Sequence, residues 1–291
     1  MRHIEDHDRG LPFDLAAMGR RRMLTLMAAG GGGLLLQSCG GSGSEDANAN
    51  ASTSTTTTTT TGGTGSGTTG TASAACSTTP TETNGPYPAD GSNLANGVLS
   101  NILTTSGVVR SDIRSSIAGL SGTAPGVPLT LTINLANVNA GCAALAEYAI
   151  YIWQADADGR YSIYDLPQQN YLRGVQATTT AGQATFTTIV PGCYEGRYPH
   201  IHFEVYRSLA TATAYANRLL VSQFALPADV CNAVYATSGY PTSAARFART
   251  SLSSDGIFGD NTAAQNAAMT PTLTGSASAG YTGSVTVGLA L

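Results

Sequence analysis

The chain reads as an all-β protein, a β-sandwich of mostly antiparallel strands with short helices and long loops. Three observations predict it. Apolar residues alternate with polar ones at period two in several separate runs. Glycine, alanine, serine and threonine dominate, and charged residues make up only 11% of the chain, a composition suited to strands joined by turns. Helical periodicity is weak, with 94–103 and the alanine-rich 262–269 as the best short candidates.

The first 39 residues read as an export signal. Arg20-Arg21-Arg22-Met23-Leu24 fits a twin-arginine pattern, and an apolar stretch runs on through Leu34-Leu35-Leu36. That stretch is too short and glycine-rich for a membrane span. Leu36-Gln37-Ser38-Cys39 resembles a bacterial lipobox, which makes Cys39 the expected lipidated residue, although Gln37 is an unusual occupant of its place. The chain is then expected in the cell envelope, touching the membrane only through that lipid. Plain signal-peptidase cleavage, giving a secreted soluble protein, is the alternative.

Residues 40–84 form a Gly/Ser/Thr/Ala tract with unbroken threonine from Thr55 to Thr61. Such a tract buries no core and reads as a disordered tether. As a flexible coil its ends would average about 35–40 Å apart.

Residues 85–291 suit one β domain. Leu129, Leu131, Ile133 and Leu135 alternate with polar residues in a first strand. Residues 148–153 are apolar on both faces and therefore central, and Asp156-Ala157-Asp158-Gly159 supplies a turn. A third strand, 184–190, is halted by Pro191-Gly192. At the far end Val285, Val287, Leu289 and Leu291 alternate as a closing edge strand.

The formal charge is −4 and the basic residues are all arginine. Outside the N-terminus they do not cluster, which argues against nucleic acid as a partner. Apart from Cys39 the cysteines are Cys76, Cys142, Cys193 and Cys231. An even number in an exported chain predicts two disulfides, with three connectivities open.

Beyond position 39 the chain has only two histidines, in Arg197-Tyr198-Pro199-His200-Ile201-His202-Phe203-Glu204-Val205. On a strand, residues two apart share a face. Ile201, Phe203 and Val205 would face a core, and His200 and His202 would project together on the other side. Two such imidazoles can close on one metal ion; the bland alternative is a polar strand face.

The neighbours favour the metal. Gly159-Arg160-Tyr161-Ser162, Tyr171-Leu172-Arg173-Gly174, residues 186–194 and Gly196-Arg197-Tyr198-Pro199-His200-Ile201-His202 stand in order along the middle of the domain. Together they resemble the intradiol ring-cleavage dioxygenases. Weaker echoes are Asn84-Gly85-Pro86-Tyr87, Arg110 to Ile113 and Ser222-Gln223-Phe224.

The resemblance implies one ferric ion per chain, held by Tyr161, Tyr194, His200 and His202. Hard phenolate oxygens suit ferric iron, and a trivalent cation can hold a tyrosine ionised at neutral pH. It also implies a catecholic substrate and O2, with ring opening between the two hydroxylated carbons to a muconate-type diacid. Tyr194 would leave the metal and accept a proton, and Tyr161 would stay. Arg197 would stabilise negative charge on the ring, Gln223 would stand behind the site, and Tyr87 would line the pocket. Family relatives often pair subunits, so a homodimer stays open.

The sequence departs from the family at Cys193, where a tryptophan is common, and at Gln154, where a cysteine often follows the strand tryptophan. The turn 178–182 also lacks the aspartate common there. A binding or structural module that keeps the sandwich without turnover is the competing function; loss of a ligand would favour it, and none is lost. Zinc hydrolysis fits poorly, since no carboxylate is positioned as general base.

Overall fold

The computed structural model describes residues 76–291. The signal segment with Cys39, and linker residues 40–75, lie outside the described residues.

Two sheets pack face to face. The first runs β10 (Thr272–Ser276), β11 (Gly280–Leu289), β3 (Pro128–Asn137), with β7 (Gln183–Ile189) and the short β4 (Ala143–Ala144) on the far side of β3. The second runs β6 (Arg173–Ala177), β5 (Ala149–Trp153), β8 (His200–Tyr206), β9 (Arg218–Ala225), antiparallel throughout. A separate hairpin joins β1 (Asp90–Ala95) to β2 (Val98–Asn101). Three short helices lie toward the C-terminus: α1 (Ala228–Tyr235), α2 (Ser243–Phe247) and α3 (Ala263–Ala268). The first buries Val230, Cys231, Val234 and Tyr235 against the sandwich.

Period-two alternation builds the core as the sequence requires. Leu129, Leu131, Ile133 and Leu135 of β3 meet Ile150 and Ile152 of β5 and Ile201, Phe203 and Val205 of β8 between the sheets. Each such side chain contributes roughly 1.5–3 kcal/mol by leaving water. Strand β5 is buried on both faces, and its other set, Tyr151 and Trp153, enters a second cluster with Tyr161, Val175 and Tyr206. That outer face of the second sheet carries His200 and His202.

Four expectations change. The 94–103 segment forms the β1–β2 hairpin, not a helix, because Asn96 (φ 51°) and Gly97 (φ 81°) make a two-residue turn that twists the strands together. The last strand is interior, not an edge: β11 pairs in parallel with β3 and antiparallel with β10. Alternation alone reports a buried face, not what borders the strand. Among the described residues one disulfide forms, Cys76–Cys142, while Cys193 and Cys231 are buried thiols. Finally, packed structure begins upstream of residue 85. Thr79 bonds to the Gly288 carbonyl, and Glu82 bonds to that of Val221, so residues 76–84 lie on the body of the domain.

The helix over 262–269 forms as expected. Thr262 and Gln265 make a capping box, each side chain bonding the other's backbone N–H.

Candidate active site

His200 and His202 leave the same face of β8 with their Nε2 atoms 3.0 Å apart. The Tyr194 hydroxyl lies 3.2 Å from His200 Nε2 and the Tyr161 hydroxyl 3.5 Å from the same atom. Four donor atoms from three segments therefore face one point. They are the four residues the sequence singled out.

Each is oriented by a distinct device. His200 Nδ1 lies 2.6 Å from the Tyr198 carbonyl, which fixes its proton on Nδ1 and leaves the Nε2 lone pair toward the site. His202 pairs in register with Trp153, and the two rings stack at 4.8 Å and 7°. The Nδ1 atom of His202 is buried with no hydrogen-bond partner among the described residues. Tyr161 follows the Asp156–Gly159 turn, where Asp156 accepts from the Asp158 and Arg160 amides, and its own amide bonds Asp165 at 2.7 Å. Tyr194 sits on the loop after β7. Its neighbour Cys193 is tied by its amide to Ser243 Oγ and by its carbonyl to Arg246. Hydrogen bonds thus brace this loop, and its cysteine stays a thiol. Gly159 lets the two tyrosine loops approach: an added Cβ would sit 3.0 Å from both the Cys193 carbonyl oxygen and Tyr194 Cβ.

Burial dominates the electrostatics. It pushes His200 down to about 3, with Arg197 adding to the effect. It pushes His202 well below the ordinary histidine value, helped by His200 and Arg197. Both rings are neutral imidazoles at neutral pH, the form that ligates metal. Burial, then Tyr194 beside it, holds the Tyr161 phenol well above its ordinary 10. Burial raises Tyr194 as well, and Arg197 opposes that rise. The two tyrosines differ in access: Tyr161 is 1% exposed, whereas Tyr194 is half-buried.

The donor set fits a hard trivalent cation. Two neutral imidazoles and two phenols in a low-dielectric pocket need a strong positive charge to draw off the phenolic protons. Among the described residues no three His, Cys, Asp or Glu side chains cluster as metal ligands. A cation here depends on the tyrosines.

Arg197 and Gln223 stand behind the histidines. Gln223 is the register partner of His202 across β8 and β9. Its Oε1 accepts from Arg197 Nη2 at 2.7 Å, and its Nε2 donates to the Thr83 carbonyl at 3.0 Å. Arg197 is buried in an ion pair with Asp255, Nε to Oδ2 at 2.9 Å. Asp255 also accepts from the amides of Tyr198, Ile257 and Phe258. Sequence reasoning missed Asp255, since Asp255-Gly256 looks only like a turn. Tyr87 stacks on Tyr161 with ring centroids 4.6 Å apart. Gly85 lies against His202, where an added Cβ would approach Cε1 to 3.3 Å.

Known proteins match part of this picture. A family model described as dioxygenase matches residues 111–234, a span that holds the four donors, Arg197 and Gln223. No curated protein sequence matches the chain. Among solved structures, the intradiol ring-cleavage dioxygenase from Tetranychus urticae is similar at 24% identity and TM-score 0.55, over 74% of this chain and 95% of that one. The dioxygenase domain of a carbohydrate-binding fusion from Streptomyces sp. SirexAA-E is similar at 22% identity and TM-score 0.46, over 74% and 99%. Catechol 1,2-dioxygenase from Pseudomonas arvilla C-1 follows at 19% identity and TM-score 0.41, over 63% and 58%. The central segment of the chain thus matches a dioxygenase family model, and its fold is that of an intradiol ring-cleavage dioxygenase.

Proposed function

We propose that the protein is a non-haem ferric dioxygenase that opens the ring of a catechol-type substrate between its two hydroxylated carbons, giving a muconate-type diacid. One observation carries this reading: the convergence of His200, His202, Tyr161 and Tyr194 on one point, with the Arg197 guanidinium buried beside them. One ferric ion per chain would be held by those four residues. The ion would supply Lewis acidity toward a catecholate ring.

The chain's own residues divide the remaining work. Tyr194, the more accessible tyrosine, would be held as the phenolate when the ion is bound and accept a substrate hydroxyl proton at that oxygen to become the phenol, while the buried Tyr161 stays in place. Arg197, preorganised by Asp255 and Gln223, stabilises negative charge that develops on the ring, a contribution of several kcal/mol in a dry site. Tyr87 offers a flat aromatic wall to a ring-bearing substrate.

The N-terminal segment adds a location. The reading is export by the twin-arginine route and a lipid anchor at Cys39, with the catalytic domain on a tether. The Cys76–Cys142 disulfide supports it, since such bonds persist in oxidising compartments.

Metal analysis and product identity test the function together. The purified protein should carry about one iron per chain, show a visible tyrosinate-to-iron band, and convert catechol to a muconate-type acid. Zinc without a visible band, or a yellow semialdehyde product, would overturn it.

A further inference from the structure

Arg173 belongs to the Tyr171-Leu172-Arg173-Gly174 motif, which supplies none of the four donors. It opens β6 and is 0% exposed. Among the described residues no carboxylate lies within ion-pair distance of it. A buried guanidinium without a counter-ion is costly unless its donors are satisfied, and here every nitrogen is used. Nη1 donates to the carbonyls of Tyr87 at 2.9 Å and Pro88 at 3.1 Å, and to the Tyr151 hydroxyl at 3.3 Å. Nη2 donates to the Ser162 carbonyl at 2.9 Å, and Nε to Ser162 Oγ at 3.1 Å. Arg110 in turn bonds the Arg173 carbonyl through Nε and Nη2.

These partners belong to three pieces of chain, which the one guanidinium bonds at once. Tyr151 is on the sheet that carries the histidines. Ser162 is the residue after Tyr161. Tyr87 and Pro88 end the arm 83–88, which runs over the site: Thr83 receives the Gln223 amide, Gly85 lies on His202 and Tyr87 stacks on Tyr161. The arm has no ladder with any strand along 83–88. Its backbone carbonyls at 87 and 88 both accept from the fork, while the Tyr151 hydroxyl also donates to that of Pro88 and Asn93 Nδ2 to that of Pro86, each at 2.7 Å.

We propose that Arg173 is a positioning residue that clamps the arm 83–88 to the Tyr161 loop, and so sets the gap between the Tyr87 wall and the site where an aromatic ring is held. The substrate part rests on the function proposed above; the clamp does not. A lysine keeps the charge but offers one nitrogen where the fork offers three, in no fixed plane.

Arg173→Lys therefore tests the clamp while keeping the buried charge; it leaves some of the carbonyl acceptors without a donor, and the core amides report whether the sandwich itself is intact. Amides of residues 83–90 should exchange with deuterium at least tenfold faster than in the wild type, while those of 129–135 keep their rate. Equal exchange at 83–90 would overturn the clamp, whether or not the protein turns over catechol. In wild-type protein active on catechol, Arg173→Lys and Tyr87→Ala should each raise KM about tenfold or more, with kcat falling less. The double variant should then be little worse than either single one. An unchanged KM in both single variants would overturn the positioning role, while wild-type protein lacking iron and turnover would sink the proposed function and leave the exchange result to judge the clamp.

Discussion

Arg197 and Asp255 form an ion pair sealed from solvent, 3% and 0% exposed along their side chains, across 58 residues of sequence. Asp255 holds the guanidinium at two nitrogens and draws in three backbone amides around it. The arginine proposed to act on the substrate ring is therefore also a structural one, and the two roles can be separated.

Removing the carboxylate leaves a buried cation with no counter-charge. Asp255→Asn should cost about 3 kcal/mol of unfolding free energy, the usual scale for breaking a buried pair from one side. Urea denaturation at neutral pH measures it.

The same pair predicts an acid limb. Burial raises the Asp255 carboxyl, but Arg197, by charge and hydrogen bond, more than offsets this and holds it below its ordinary 3.8. A depressed folded value means the contribution is complete above about pH 4 and is lost as pH falls through that lower value. The stability gap between wild type and Asp255→Asn should therefore shrink as pH drops below 4. A gap that stays constant to pH 2 would contradict the assignment.

Arg197→Ala should leave iron and colour largely intact, because arginine is not a ligand, and lower turnover by two or more orders of magnitude. That corresponds to about 3 kcal/mol of transition-state stabilisation. It should also destabilise the fold by stranding Asp255. The double variant Arg197→Ala/Asp255→Ala should recover part of the stability and none of the turnover. Paired measurements of kcat/KM and unfolding free energy check both statements.

His200→Ala and His202→Ala should each remove most of the iron. The two Nε2 atoms converge within 3.0 Å, and the other histidines of the chain are His3 and His7, far away in sequence. Iron retained in full by both variants would place the ligands elsewhere.

Cys39→Ala should move the protein from the membrane fraction to the soluble one, with the activity of the folded domain unchanged. Equal partition of variant and wild type would exclude a lipid anchor at this residue.

The donor set was legible because it depends on short range. Period two puts His200 and His202 on one side of a strand whose other side is Ile201, Phe203 and Val205, whatever the rest of the chain does. Tyr161 and Tyr194 were legible only through motif order, since either tyrosine alone would pass for packing. The 94–103 segment is a hairpin although Leu94, Val98, Leu99, Ile102 and Leu103 are spaced like a helix face; the deciding signal is the Asn96-Gly97 turn. The C-terminal strand showed its buried face but not its neighbours, because alternation is the same at an edge and in an interior parallel pair.

The all-β class, the strands that build the core and the histidine pair follow from side-chain chemistry and a local repeat, and Tyr161 and Tyr194 follow from the order of the motifs that carry the resemblance. What surrounds those donors is set by the folded chain alone. Asp255 reaches Arg197 over 58 positions, Arg173 joins Tyr87 to Ser162, and Gly85 closes on His202. Partners so distant along the chain leave no period or spacing to read, because they meet only when the loops and the arm have folded over the sheet.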